Sequence, residues 1–275
     1  MFCDDILRNA LREDIGAGDI TTESCVPADS IARARILARE EGMLCGLDIA
    51  RRVFSLLDTR VAVASDFSDG CRFSEGETLG LVTGPARAML AGERTALNLL
   101  QRLSGIATSA ASAVQSVAGT GTRIVDTRKT TPGLRSLEKY AVRVGGAHNH
   151  RAGLFDGVII KDNHIVAAGG IHKAVTAVRT RIPHTMKIEV EVSNLSQVRE
   201  ALAAGVDIIM FDNMDEDTMR RAVDEIGGLA LTEASGGMGR RSLPAVAATG
   251  VDFISIGAIT HSVRALDIAM LFDDM

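Results

Sequence analysis

Asp126-Thr-Arg-Lys-Thr130 sets one acid, two cations and two hydroxyls at the end of the apolar run 123–126. Such a cluster suits anions. Arg128 offers a planar fork of donors that matches a carboxylate, and Lys129 a compact point charge. His150, Arg151 and Lys161 extend the basic set, on a chain whose net charge is -5. Converging, these side chains would hold a small ligand with several negative charges. Arg135, Lys139 and Arg143 recur every four residues with Glu138 beside them, and read as a solvated helix face.

Carboxylates follow the same logic. Glu189 and Glu191 lie in the run 187–192, and Asp212 with Asn213 closes the run 207–211. Glu191 and Asp212 can hold Mg²⁺, accept hydrogen bonds from sugar hydroxyls, or do both; the alternative is a pair of structural salt bridges. Ser235-Gly236-Gly237 and Gly257-Ala258 expose bare backbone N–H groups near helix starts, which suits a phosphate. Lys161 has a second possible role as a Schiff-base lysine. His148, His150 and His164 are divided between loops and strand ends, and hydrogen-bonding roles fit them better than a metal cluster.

The elements that must position these residues show a rhythm from residue 122 on. Apolar runs at 123–126, 157–161, 187–192, 207–211, 229–232 and 252–256 are separated by helical patterns at 133–144, 195–204 and 218–226. Ser193 or Asn194 is available to cap the second helix. Strand–helix alternation at this spacing predicts parallel strands. Six runs suggest a barrel related to the eight-stranded type, in which chemistry gathers at the C-terminal strand ends. The alternative is an open doubly wound sheet, but no G-x-G-x-x-G follows a strand. The first 120 residues mix helices at 5–13 and 47–57 with strands at 32–37, 61–64 and 78–82. A long helical stretch follows at 93–117, with Gly105 as the place for a break.

Composition excludes several classes. No run of apolar residues reaches membrane-spanning length, and the charged, amphipathic start from Met1 to Asp14 is no signal peptide. An acidic chain without a basic stripe offers nucleic acid no surface. Cys3, Cys25, Cys45 and Cys71 lack zinc or redox spacing and read as reduced thiols, mostly in the core, of a cytoplasmic protein. With no Trp and one Tyr, the core must be aliphatic.

The motifs resemble one family across nearly the whole chain. Asp126-Thr-Arg-Lys-Thr-Thr-Pro-Gly-Leu-Arg135, Gly145-Gly-Ala-His-Asn-His-Arg151, Gly153-Leu-Phe-Asp156 and Ile160-Lys-Asp-Asn-His164 are similar to the signatures of quinolinate phosphoribosyltransferases. Glu189-Val-Glu191, Ile209-Met-Phe-Asp-Asn-Met214, Glu233-Ala-Ser-Gly-Gly237 and Ile256-Gly-Ala-Ile-Thr-His261 continue the likeness. Upstream, 13–21 and 92–98 fit as well.

The resemblance implies an α/β fold: an N-terminal α/β sandwich domain (1–110, to which a C-terminal segment can return) and a C-terminal irregular α/β barrel (111–275) with fewer than eight regular strands. It implies transfer of phosphoribosyl from phosphoribosyl pyrophosphate (PRPP) to quinolinate with decarboxylation, with Mg²⁺ as cofactor. It implies a homodimer, or an assembly of such dimers, in which one subunit's N-terminal domain caps the partner's barrel. Arg94 would then reach quinolinate across the interface. Arg128, Lys129, Thr130, His150, Arg151 and Lys161 would surround the two carboxylates. Glu191 and Asp212 would meet the ribose hydroxyls with the metal nearby, making Lys129, Lys161, Glu191 and Asp212 the catalytic set. Ser235, Gly236, Gly237, Ile256, Gly257, Ala258 and His261 would hold the phosphate end.

One departure stands out, because Ala147 occupies a position where many members have a third glycine. Three rivals remain: a paralogue associated with molybdate transport, a Schiff-base barrel lyase, and a catalytically silent barrel acting as a binding module. The full basic set argues against the first, and the acid pair Glu191/Asp212 against the last.

Overall fold

A computed structural model describes residues 4–273. Cys3 and the first residues of the amphipathic start lie outside it. The chain divides into two compact units. One comprises residues 1–111, 131–146 and 263–275, the other residues 112–130 and 147–262. The linear boundaries drawn from sequence, 1–110 and 111–275, therefore meet an interleaved chain. No described helix is long and apolar enough to cross a membrane.

In the first unit, β1 (Ile31–Ala38), β2 (Gly42–Met43), β3 (Ala62–Ala64), β4 (Arg72–Phe73) and β5 (Thr78–Pro85) build two antiparallel sheets. Helix Leu47–Leu57 buries Ile49, Ala50, Val53 and Phe54, one stripe at helical spacing. Its start is held by Asp69, whose carboxylate accepts the N–H groups of Gly46 (2.8 Å) and Leu47 (3.1 Å). The same carboxylate accepts the Tyr140 hydroxyl at 2.6 Å. Burial, then this bond, pushes the Tyr140 phenol well above its usual range.

The expected break at Gly105 does not occur, since one helix runs from Ala86 to Ser116. Glycine is needed there for a close approach. A β-carbon at 105 would stand 2.2 Å from the Arg264 carbonyl oxygen. Helix Arg135–Val144 also departs from the expected solvated basic face. Glu138 is fully buried and Lys139 is buried, while Arg143 is exposed. Glu138 Oε1 accepts Arg102 Nε (2.9 Å) and Nη2 (2.6 Å), and Oε2 accepts the Thr131 N–H (3.1 Å). A carboxylate so fully satisfied can face the core, and periodicity alone does not say which way a charged stripe turns. Of the described cysteines only Cys45 is buried; Cys71 is half-buried and Cys25 exposed, so the expectation of mostly core thiols fails.

In the second unit, β6 (Arg123–Val125), β7 (Val158–Ile160), β8 (Ile188–Val192), β9 (Ile208–Asp212), β10 (Leu231–Ser235) and β11 (Phe253–Ser255) form one parallel sheet, ordered β6-β11-β10-β9-β8-β7. Each of the six expected runs overlaps a strand, the fifth (229–232) only at 231–232, since β10 runs from Leu231 to Ser235. The outer edge of β6 carries a single further bridge, Val125 to His148. The barrel is thus irregular, with six regular strands. Helices Leu195–Ala203 and Glu216–Ile226 begin on side-chain caps: Asn194 accepts the Gln197 N–H (3.0 Å) and Asp215 the Thr218 N–H (2.8 Å).

The chain then returns to the first unit as β12 (Ile268–Phe272), pairing antiparallel with β1 to complete the order β12-β1-β5-β3.

Candidate active site

Because the six strands of the barrel run parallel, the residues that close them share one end. Strand order then dictates a ring. Val125 pairs with Ser255, which places the segment Thr127–Lys129 beside Gly257. Ser235 lies opposite Asp212, Glu191 opposite Met210, and Ile160 opposite Val190. Round the rim the sequence is therefore Lys129, Gly257, Ser235, Asp212, Glu191, Lys161.

Contacts join neighbours in that ring. The Lys129 stem lies on Gly257: a β-carbon there would stand 3.0 Å from Lys129 Cδ and 3.1 Å from the His261 ring. Thr260 Oγ1 donates to the Lys129 carbonyl (2.8 Å). Lys161 Nζ forms an ion pair with Glu191. Asp212 Oδ2 accepts Asn213 Nδ2 (3.0 Å), and the Asn213 N–H donates to the Ser235 carbonyl (3.1 Å). Asn213 is the one non-glycine residue among those described with positive φ, +54°. Gly236, at φ +90°, is packed against it.

Beneath the rim lies a second layer. Side chains two apart on a strand share a face. Glu189 thus sits one step below Glu191, and Glu233 one step below Ser235. Both acids are buried, 2% and 3% exposed. Between them stands His150, whose Nε2 is 3.1 Å from Glu189 Oε2 and 3.5 Å from Glu233 Oε2. Its Nδ1 accepts the Arg151 N–H (2.8 Å), so both ring nitrogens have partners inside the protein. Fully buried Asp126 accepts the His150 N–H (2.7 Å) and Asn149 Nδ2 (2.7 Å). Arg151 Nη1 donates to the Gly157 carbonyl (2.9 Å).

Charge in this layer is tightly linked. Burial works to lower the His150 pKa, but the hydrogen bonds its Nε2 donates to Glu189 and Glu233, and then their charges, raise it to about 10. Burial raises the Glu189 carboxyl. The Arg151 N–H works against that protonation, because it donates to Nδ1 and a ring protonated on both nitrogens could not accept it; the geometry is that of a neutral ring. That contact fixes the proton facing the acids on Nε2.

Other expected residues are placed as follows. Arg128 and Thr130 are half-buried and Lys129 exposed. Gly237 precedes the short turn Met238–Arg240, and Gly257 precedes helix Ala258–His261. Ile256 is buried and its N–H donates to the Val125 carbonyl, so its backbone donor is already used. His261 is exposed, with Nδ1 2.7 Å from Ser262 Oγ. Arg94 lies in the first unit, exposed on the long helix. The three histidines do not gather. His164 Nδ1 accepts the Lys161 N–H (2.9 Å), and His148 bridges β6 through its backbone. Ala147 is buried just before that bridge, without a positive φ.

Comparison with known proteins decides the family. The model of the quinolinate phosphoribosyl transferase C-terminal domain matches residues 106–271, and that of its N-terminal domain residues 19–104. This chain belongs to the quinolinate phosphoribosyltransferases. A Bacillus subtilis relative named "Probable nicotinate-nucleotide pyrophosphorylase [carboxylating]" is 49% identical over 96% of this chain and 91% of its own. A Mycobacterium leprae nicotinate-nucleotide pyrophosphorylase [carboxylating] is 43% identical over 97% and 95%. The crystal structure of the nicotinate-nucleotide pyrophosphorylase from Ehrlichia chaffeensis superposes with a TM-score of 0.95 at 39% identity, covering 99% of both chains.

Within this phosphoribosyltransferase, sequence reasoning passed over three residues. In sequence, Glu233 stands in a motif without an evident role, Asn213 reads only as a neighbour of Asp212, and Thr260 carries no signal of its own. The period of two along Ile188–Val192 and Leu231–Ser235 was the available signal for the second layer.

Proposed function

We propose that the protein transfers the phosphoribosyl group of PRPP to quinolinate with decarboxylation, producing nicotinate mononucleotide, pyrophosphate and CO₂. The observation that carries this reading is the division of one barrel rim. Lys129 and Lys161 stand at its two ends, acids Glu191 and Asp212 lie between, and glycine turns follow β10 and β11. Quinolinate is a dianion and PRPP a polyanion with a cation-forming carbon. Such a rim gives each a place.

Arg128, Lys129 and Arg151 bind the quinolinate carboxylates as fixed cations. The turns at Ser235–Gly237 and Gly257–Ala258 face the 5′-phosphate, with His261 nearby. As pyrophosphate departs, positive charge grows on the ribose carbon. Glu191 and Asp212, anchored by Lys161 and Asn213, stabilise that charge without reorganising. The pyridine nitrogen attacks this carbon. The resulting pyridinium accepts the electron pair released when the adjacent carboxylate leaves as CO₂, and a proton then fills that ring position. Lys161, paired with Glu191, acts as a fixed charge rather than as a Schiff-base nucleophile.

The donor set fits Mg²⁺ arriving with its substrate. One Glu191 oxygen is engaged by Lys161 and one Asp212 oxygen by Asn213, leaving too few ligands for a cage made of protein alone. Mg²⁺ bound to PRPP would neutralise the leaving pyrophosphate, with Asp212 and Glu191 as its protein contacts.

We further read the active assembly as a homodimer in which Arg94 serves the partner's site; its exposure supports this. Free thiols at Cys25, Cys45 and Cys71 suit a reducing compartment, and we assign the enzyme to the cytoplasm.

Incubation with quinolinate, PRPP and Mg²⁺, following nicotinate mononucleotide and CO₂ together, tests the reading. Both products should appear, should vanish with EDTA, and should be absent with nicotinate in place of quinolinate. A folded preparation that makes neither product refutes it.

A further inference from the structure

Two buried carboxylates beneath an anion-binding rim call for an explanation. Glu189 and Glu233 come from β8 and β10, next-but-one neighbours in the sheet, and take no part in the chemistry proposed above. Burying an acid is costly unless a partner compensates, and burying two side by side more so. A substrate with two carboxylates should be repelled by them. Their presence under a pocket for such a substrate therefore requires that they act on something between.

That something is the His150-Arg151 dipeptide. Three acids grip it. Asp126 accepts the His150 backbone N–H at 2.7 Å, while Glu189 and Glu233 take the ring Nε2 from two sides. With Nε2 held, Nδ1 points back to accept the Arg151 N–H, which fixes the direction in which the chain leaves His150. Arg151 is consequently aimed by a chain of contacts that begins at the two glutamates. Its own anchor, the bond from Nη1 to the Gly157 carbonyl, uses one of five donors and leaves the rest of the fork available. Arg151 Nε is buried with no partner among the described residues, as are Glu189 Oε1 and Glu233 Oε1. The guanidinium is thus anchored at Nη1 and keeps unused donors.

We propose that Glu189 and Glu233 are positioning residues for the dicarboxylate pocket, fixing the His150 ring and through it the Arg151 guanidinium that meets the substrate. This rests on the reaction assigned above and adds the part that selects the aromatic diacid. The ring of His150 is a spacer between acids and arginine, engaged at both nitrogens.

The ligand atoms of His150, Glu189 and Glu233 lie within 4.8 Å of one another, a spacing that would also suit a divalent cation. Positive charge is already supplied there by Arg151, whose guanidinium feels Glu189, so a resident metal is not required.

The test is equilibrium binding of quinolinate by calorimetry, with no PRPP, alongside steady-state turnover on the same preparations. Glu233→Ala should weaken quinolinate binding ~10- to 100-fold, the span that hydrogen bonds to charged groups are worth. The KM for PRPP should stay within about twofold. Glu233→Gln still accepts the Nε2 proton, so it should recover most of the affinity, and it serves as the variant that keeps the buried contact if alanine misfolds. In a His150→Ala background, Glu233→Ala should add less than about twofold, because the glutamate acts through the ring.

The proposal is overturned if Glu233→Ala lowers the melting temperature but leaves quinolinate affinity unchanged. It is overturned equally if the two substitutions multiply, or if the wild type carries one tightly bound metal that Glu233→Ala loses. Wild type that binds quinolinate but turns nothing over counts against the assigned reaction alone. Active wild type with an insensitive Glu233→Ala counts against the positioning role alone.

Discussion

Gly236→Ala tests whether the barrel rim is as tightly assembled as its contacts indicate. Gly236 has φ +90°, where a side chain costs of order 1–3 kcal/mol. The new β-carbon would stand 2.7 Å from the Asn213 backbone nitrogen and 2.3 Å from Asn213 Oδ1. Against roughly 3.5 Å for an unstrained contact, the backbone alone must yield by about 0.8 Å. Rotating the Asn213 amide away relieves the second clash, but surrenders its bond to Asp212 Oδ2. Either response moves or frees Asp212, and a misplacement near 1 Å at a reacting centre costs on the order of 10²-fold. The expected result is a ~10²-fold fall in kcat/KM with PRPP as varied substrate, and a melting temperature lower by several degrees. Gly228→Ala is the control. It has φ +79° and nothing within 4 Å of its β-carbon, so it pays the backbone strain without the clash. It should lose about 1 kcal/mol of stability and keep its turnover. If Gly236→Ala retains kcat/KM within about threefold, or loses it only in proportion to the unfolded fraction, then Asn213 does not hold Asp212 and the reasoning is wrong.

Other perturbations bear on separate parts of the account. Lys161→Ala should reduce turnover severely, and borohydride added with substrate should trap no covalent adduct; a trapped adduct would restore the Schiff-base role. Mixing Arg94→Ala with Arg128→Ala protein should restore some activity by forming one intact site per dimer, and no recovery despite proven subunit exchange would count against sharing. Glu138→Gln removes a fully buried carboxylate charge from its contact with Arg102, so a loss of roughly 3 kcal/mol is expected by chemical denaturation. A change below about 0.5 kcal/mol would show the pair to be worth no more than a surface contact.

The rim was readable because strand ends are the one place in a parallel barrel where polar residues must follow apolar runs. Arg128, Lys161, Asp212 and Ser235 all fell there, and each of the six runs overlaps a strand. The layer below was harder to read. Glu189 and Glu191 look alike in sequence, two acids in one strand, and only their depth separates an acid that meets substrate from one that grips His150. Depth along a strand is set by how far the barrel extends, which no local pattern records. Helix Arg135–Val144 departs from its sequence pattern for a related reason: a four-residue charge repeat defines a face, but the direction of that face depends on Arg102, 36 residues from Glu138 in sequence. β12 left little trace, because five residues of an edge strand become recognisable only once β1 is there to pair with. The errors share a physical cause. A sequence shows a charged residue's neighbours in the chain, whereas burial of a charge is decided by its partners in space. His150 shows the consequence most plainly. Its basic type groups it with Arg128 and Lys129, yet its two nitrogens are bound to acids and to backbone. The part of the ligand's recognition it governs is therefore the aim of Arg151.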